Sequence, residues 1–423
     1  MFTRQIEELK EIKTIEEFLK QGKGPLLAYG LTDSQKAHVA HYIMSKFNKK
    51  VLVIAPDDIE ARKIYEDLYS FSFGNASLFP KREALFYKID AASQEMVSQR
   101  LRVIKKLTRE TPHAVVTSID AAIGKLIPMD LFEKYQMFFK IGDIVNLQEV
   151  IKNFVAMGYE RVQIVEGKGQ FSVRGGIIDV FSPIEEYPYR IELFDDEIDS
   201  IRTFDVITQR SLENIDKINI FPATEFIAEE KHIKKGISAV SKSLNSYLLK
   251  IKKSKSGIAE KLQQKFEEIM EEITEAKRVE NIHELIDYFY DEVYSIVDYV
   301  GEEAVIILDE SSRIKQRVNN LQMEFNENFK ALLEKGEVLP EQSRLFFDYE
   351  EILKKAKNSF LLIVNTLAKP DNDLQPRKIV NFISRSMHPF HGKIDILIDD
   401  LKYYKNAGYK VLLLSGNQER AKF

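Results

Sequence analysis

The residues with the clearest chemical implication lie in two short stretches far apart in the chain. Gly30-Leu31-Thr32-Asp33-Ser34-Gln35-Lys36-Ala37 follows an apolar run and opens a segment of helical period, which is where a phosphate loop of the form GxxxxGK[ST] belongs. Such a loop needs a glycine before its lysine, so that backbone N–H groups wrap phosphate, and a hydroxyl after it to hold magnesium. Gln35 and Ala37 stand in those places. Lys36 is left as a cation at a helix start without cradle or metal ligand, and the ordinary reading is a helix capped by Thr32, Asp33 or Ser34. The second stretch is Asp309-Glu310 after the apolar run 304–308. In ATP-driven motors a carboxylate there positions magnesium. Beside a ruined loop, the pair reads as the relic of an ATPase.

A third constellation is of another kind. Arg161, Arg174 and Arg190 fall on or beside adjacent predicted strands, with Phe181 and Glu192 nearby. Arginine with an aromatic on an open sheet face is the composition of a protein-binding hot spot; the alternative is a solvated sheet face. Gly167-Lys168-Gly169 and Gly175-Gly176 are followed by strands, not by a helix, so they read as turn and bulge glycines. His38 and His41 share a predicted helix, and His388 and His391 flank Pro389-Phe390, but neither pair has a third metal ligand at convincing spacing. No metal site and no catalytic residue is expected.

The elements that position these residues follow from hydrophobic period. Residues 25–29, 51–55, 76–79 and 114–117 are short apolar β runs separated by helical stretches after Asp33, after Asp57 and over 93–106, which predicts a doubly wound parallel sheet. From 162 to 226 the pattern becomes period-two with glycine or acidic turns, which predicts antiparallel strands. Helical period returns over 227–299, where 251–280 carries seven basic and seven acidic side chains, the make-up of a solvated helix face. Apolar strands recur at 304–308 and 360–364. A polar stretch from Pro370 to Pro376 reads as a linker, and a new αβ pattern follows with a helix over 393–407, a strand over 410–414 and a turn at Ser415-Gly416. The expected organisation is a split α/β domain (1–119 and 219–374), an inserted α+β domain (120–218), and the truncated start of a further small α/β domain (375–423).

Composition bounds the partners. The 423 residues are 44% hydrophobic and 30% charged, ordinary for globular domains with sizeable cores. With 61 Lys and Arg against 66 Asp and Glu, the formal charge of -5 excludes a general polycation, so nucleic-acid contact requires a local patch. The absence of cysteine removes disulfides and thiolate chemistry. The charged N-terminus is no signal peptide and no apolar run has the length of a membrane span, so a cytoplasmic protein without membrane partners is expected.

Several stretches carry a family resemblance. Residues 158–162, 165–181, 189–205 and Thr208-Gln209-Arg210-Ser211, with Phe79-Pro80 and Glu83 in the first domain, closely resemble the bacterial transcription-repair coupling factors. The resemblance covers about residues 20–423 and is weak across the helical segment after 226. It implies a RecA-like, UvrB-like helicase domain that has lost its ATPase, with an inserted domain that binds the excision-repair protein UvrA. The UvrA-contacting positions it implies are Arg161, Arg174, Arg190 and Glu192, with Phe181 as an apolar contact. UvrB-like sequences carry arginine where this chain has Ser172, so one ion pair is expected to be missing. The resemblance further implies, C-terminal to these residues in the parent protein, an RNA-polymerase-binding module and a double-stranded DNA translocase using ATP and magnesium, whose end masks the UvrA surface until the motor engages. No cofactor is expected in the present residues. The rival is a UvrB-like ATP-dependent repair helicase; Gln35, Ala37 and the short, tyrosine-poor stretch 85–98, where UvrB has a damage-probing hairpin, count against it.

Overall fold

In a computed structural model the chain is described at residues 4–32, 34–82, 92–109, 112–251, 256–275, 282–368, 373–384, 390, 392–411 and 413. Asp33, Glu83, residues 85–91 of the stretch 85–98, Pro370, His388, Pro389, His391 and Ser415-Gly416, named above, lie outside the described residues.

Four early strands form where the apolar runs predict them: β1 (Leu26–Tyr29), β2 (Val51–Ala55), β3 (Ala76–Phe79) and β4 (Ala114–Ser118). Eight more follow in the inserted region: β5 (Met137–Lys140), β6 (Glu160–Arg161), β7 (Gln170–Arg174), β8 (Ile177–Phe181), β9 (Tyr189–Phe194), β10 (Glu197–Phe204), β11 (Ser211–Asn214) and β12 (Lys217–Ile220). The last three are β13 (Val305–Asp309), β14 (Phe360–Asn365) and β15 (Lys378–Asn381). The first sheet is parallel throughout, in the order β15-β1-β14-β13-β2-β4-β3. β2, β4, β13 and β14 are buried along their whole length, as continuous Val/Ile/Leu runs covered on both faces must be. One face packs on helices Ser34–Phe47 and Asp58–Phe71, and the other on a larger core that includes helices Glu230–Ile251 and Ser256–Thr274.

The inserted region builds a separate core. A six-stranded sheet, β11-β10-β9-β8-β7-β6, antiparallel except for the short β6–β7 pair, packs one face on helix Leu147–Ala156. The other face is open except for a small apolar cluster of Val165, Phe181 and Phe204.

Two boundaries differ from expectation. Residues from Ile119 to Phe132 belong to the core of the first domain, so the independent core of the insert starts at β5. β15 falls in the range expected for the further domain, yet it adds to the edge of the first sheet beside β1; the apolar Val380 and Phe382 bury in the first core, which the preceding polar stretch conceals. The final helix, Ile394–Asn406, forms as predicted but buries none of its residues; the strand expected over 410–414 falls partly outside the described residues.

The chain re-enters the first domain through a buried ionic knot. Glu225 accepts from Arg100 Nε at 2.7 Å and Nη2 at 2.9 Å, and from Arg82 at 2.8 Å. Arg100 also donates to the Pro80 carbonyl at 2.6 Å and lies 4.0 Å from the Phe79 ring centroid. Burial disfavours the Glu225 carboxylate, but the two guanidiniums outweigh it and hold its pKa down at about 2.

Candidate functional site

In open α/β sheets ligands bind outside the carboxyl ends of the strands, so the first candidate is the crevice beyond β1 and β13. There the sequence has refilled the phosphate position from within. Gln35 folds back so that its side-chain oxygen accepts from Thr32 N–H at 3.0 Å, while Gln35 N–H donates to the Thr32 carbonyl at 3.1 Å. This is the reach-back half of a capping box, and it consumes a donor that phosphate would need. Lys36 Nζ lies 2.6 Å from Asp309 and 3.5 Å from Glu310. Glu310 also accepts from Thr366 N–H at 2.6 Å and from its hydroxyl at 2.5 Å. Asp309 is 2% exposed, and burial raises its pKa despite Lys36. For Glu310, burial is outweighed by the Thr366 and Lys36 hydrogen bonds, and its pKa falls.

The same edge continues as a row of ion pairs. Asp57 caps helix Asp58–Phe71 and meets Arg313 at 3.2 Å; Asp58 meets Lys81 at 2.9 Å; Asp120 takes two bonds from Arg317 at 2.9 and 2.6 Å. Gly30 is kept for a reason unrelated to phosphate. Its φ is +86°, and a Cβ there would stand 2.0 Å from the Phe382 carbonyl oxygen on the chain leaving β15. The structure thus brings all the predicted relic residues together, with their polar groups turned onto one another.

His38 and His41 do not aim at a common point for a metal. Both stack on Phe71, with centroids 5.0 and 6.4 Å away. Among the described residues no group of three or more His, Cys, Asp or Glu is arranged to hold a metal ion.

The second candidate is the open face of the inserted sheet. Strand register sets Arg174, Ile177, Glu192 and Ser200 in one row across β7 to β10, and Ser172, Asp179, Arg190 and Arg202 in the next. Asp179, which the sequence reading did not single out, is the centre: fully buried, it accepts from Arg190 Nε at 2.7 Å and Nη2 at 2.9 Å and from Arg174 Nη2 at 2.8 Å. Its signal was present in the sequence, since period-two counting places it on the arginine face.

The predicted contact residues separate into two groups. Arg174 is 46% exposed and bonded to Asp179, so it presents guanidinium donors outward; Arg161 is exposed at the sheet edge, but its register opposite Phe171 sets it on the helix-covered side. Arg190 is 15% exposed and saturated: besides Asp179 it donates to the Gln209 carbonyl and side-chain oxygen, each at 3.3 Å, and it covers the Phe204 ring at 4.5 Å. Glu192 is held by Ser200 at 3.0 Å and by Arg202. Phe181, expected as an apolar contact, is only 7% exposed because it packs with Val165 and Phe204 under the flanking loops. Arg190 and Phe181 therefore shape the face from beneath, while Glu192, 30% exposed, remains partly accessible on it. Ser172 lies in that same lower layer, 1% exposed and opposite Asp179, with its hydroxyl unpartnered.

Fold and sites together define a helicase-like α/β domain with a self-filled nucleotide crevice and an inserted sheet domain of UvrB type. Residues 137–226 match the UvrB interaction domain family, a range that begins where the separate core begins. Over 416 residues, 98% of its length, the chain is 32% identical to the transcription-repair-coupling factor of Bacillus subtilis (strain 168), covering 35% of that protein. It is 27% identical over 395 residues (93% of the chain, 33% of the relative) to that of Staphylococcus haemolyticus, and 28% identical over 401 residues (93% and 33%) to that of Staphylococcus aureus (strain MRSA252). The chain belongs to the transcription-repair coupling factor family, in its N-terminal, UvrB-homologous region. It spans about a third of the length of the curated relatives it matches.

Proposed function

We propose that this region recruits UvrA to sites of stalled RNA polymerase in transcription-coupled nucleotide excision repair, through the open face of the inserted sheet. The observation that carries the reading is the half-exposed Arg174, held on the open face by the buried Asp179, on a domain of the UvrB interaction family. A planar guanidinium whose position is already fixed by a buried carboxylate binds a partner's carboxylate bidentately with little ordering cost. Asp179 supplies that fixing for Arg174, and Arg190, two strands away on β9, holds the same carboxylate. In this reading the region catalyses nothing and holds no cofactor. The parent's ATP- and magnesium-dependent translocation on double-stranded DNA, and its displacement of RNA polymerase, reside in chain beyond these residues, in the cytoplasm.

Calorimetric titration of UvrA into the chain and into a folded Arg174→Ala variant tests this. Loss of a desolvated charged contact costs about 2–5 kcal/mol, enough to weaken binding at least about thirtyfold. Equal binding by both proteins moves the site elsewhere; no binding by either removes the recruitment reading. The rival reading, a UvrB-like ATP-dependent helicase, requires Mg-ATP to raise the melting temperature, because a ligand that binds only the native state stabilises it. The Gln35 fold-back and the Lys36–Asp309 pair favour no shift.

A further inference from the structure

With Phe181 buried, the open face of the inserted sheet lacks the apolar contact expected of it, and strand register supplies another. Along β9 the outward positions are Arg190, Glu192 and Phe194, since Ile191 and Leu193 face the helix-covered core. Phe194 pairs with Glu197 across the β9–β10 hairpin, and Glu197 bridges to Ile144 on the segment before helix Leu147–Ala156. Directly paired residues share a face. Ile144, Glu197 and Phe194 therefore form one outward row, beside the row of Arg174, Ile177, Glu192 and Ser200. Phe194 is 79% and Ile144 74% exposed, while Val145 turns to the core. Outward positions of a half-solvated sheet are the ones alternation keeps polar. The row is also held firmly. Leu193 N–H donates to the Gly176 carbonyl at 2.7 Å, Val145 N–H to the Asp196 carbonyl at 2.9 Å, and Gly142 N–H to the Ile198 carbonyl at 2.8 Å. The turn beside it is Gly175-Gly176, which has no side chain to cover the Phe194 ring; a Cβ on Gly175 would meet nothing within 4 Å.

We infer that Phe194, with Ile144 beside it, is the apolar anchor of the docking face, and that the surface of UvrA seated there offers an apolar recess next to a carboxylate. The inference rests on the recruitment reading and adds to it the contact that buries apolar area. Position and charge select that occupant. By strand spacing and rise, Phe194 stands about 10 Å across the sheet and about 7 Å along it from Arg174, so one partner surface covers both. The half-exposed Arg174 guanidinium calls for a carboxylate, and an apolar contact beside that pair keeps water from it. An aromatic ring on a strand clamped from both sides loses little freedom when it is buried, which is the economy of a hot-spot residue. Single exposed apolar side chains need no explanation; these two share one rigid face with the arginine and continue its row.

The probe is UvrA, titrated by calorimetry at several temperatures into the full chain and into its Phe194→Ser, Ile144→Ser and Leu249→Ser variants, with folding checked by circular dichroism. Phe194→Ser is expected to weaken binding at least about tenfold and to make the heat-capacity change of binding less negative, because less apolar area is buried. Ile144→Ser is expected to do the same to a smaller extent. Leu249 is as exposed, at 78%, but lies on helix Glu230–Ile251 of the first domain, and its variant is expected to bind like the unaltered chain. Failure of the anchor and failure of recruitment give different results. If the unaltered chain binds, Arg174→Ala weakens binding and Phe194→Ser does not, the anchor is overturned and the recruitment reading stands. If the unaltered chain does not bind, both fall. Self-association that Phe194→Ser abolishes, seen by sedimentation without UvrA while UvrA binding is unchanged by the substitution, assigns the patch to a second copy of the chain and also overturns the anchor.

Discussion

Lys36 Nζ and the buried Asp309 carboxylate lie 2.6 Å apart, joining the remnant of a phosphate loop to the remnant of an acidic motor motif across the crevice where nucleotide binds in working relatives of the fold. The two partners are not equivalent. Burial raises the Asp309 pKa even with Lys36 beside it, so ionised Asp309 is a net burden on the fold. For an acid whose folded pKa lies above the unfolded one, that burden is absent at low pH and appears as pH rises past the unfolded value.

Removing the lysine and removing the charge therefore have unequal consequences. Lys36→Ala strands a buried carboxylate and is expected to cost about 3–5 kcal/mol. Asp309→Asn removes the disfavoured charge and leaves Lys36 with Glu310, so a change within about 1 kcal/mol is expected at neutral pH. Urea unfolding of both variants checks the order; a larger loss in Asp309→Asn contradicts it.

Two buried groups contribute at separate stages of acid destabilisation. His113 is buried between Asn75 and Ser77, bonded at 2.7 and 2.9 Å, and burial with Lys106 and Lys50 nearby lowers its pKa from 6.5 to about 4. A histidine with a depressed pKa favours the fold when neutral, so its contribution is full above pH 6.5 and is lost between 6.5 and about 4. Glu225, lowered from 4.5 to about 2, stabilises above 4.5 and loses that effect between 4.5 and about 2. Each window is worth on the order of 3 kcal/mol. His113→Gln should reduce the upper slope and leave the lower one, and Glu225→Gln should reduce the lower, in denaturation midpoints measured against pH.

Arg174 and Arg190 share one carboxylate but should respond differently to truncation. Arg190→Ala removes two bonds to buried Asp179 and uncovers Phe204, and a loss of about 3–5 kcal/mol is expected. Arg174→Ala leaves the Arg190 pair intact at a half-exposed position, so stability should change by about 1 kcal/mol or less. Thermal melts distinguish them, and only the Arg174 variant gives a clean binding readout.

Much of this division was open to sequence reasoning, and its limits have physical causes. The parallel strands were legible because strands covered on both faces are apolar without interruption, and the loss of the phosphate loop because the required glycine and hydroxyl are single positions. What β15 joins was not legible: a four-residue edge strand carries little pattern, and pairing with β1 is a contact across some 350 residues. The arginines were visible but their partners were not. Saturation of Arg190 depends on Gln209, held with φ +58° in a turn whose position beside β9 no local pattern records.

Gly30 gives the most local test of why a motif residue persists after its chemistry has gone. If it were a relic under no constraint, alanine would be tolerated. In the structure its φ of +86° is strained for any residue with a Cβ, and that atom would meet the Phe382 oxygen at 2.0 Å. Strain and overpacking each cost about 1–3 kcal/mol, so Gly30→Ala is expected to lose at least about 2 kcal/mol. Gly175, with φ +59° and nothing within 4 Å of its Cβ position, isolates the backbone contribution; Gly175→Ala should lose about 1 kcal/mol. The damage at Gly30 should also be directional. Phe382 N–H donates to the Tyr29 carbonyl at 2.8 Å, so pushing Phe382 away detaches β15 first. Amide exchange of residues 378–382 should accelerate in Gly30→Ala while β2, β4 and β13 stay protected; uniform acceleration across the sheet would show that the glycine supports the whole fold and not this edge.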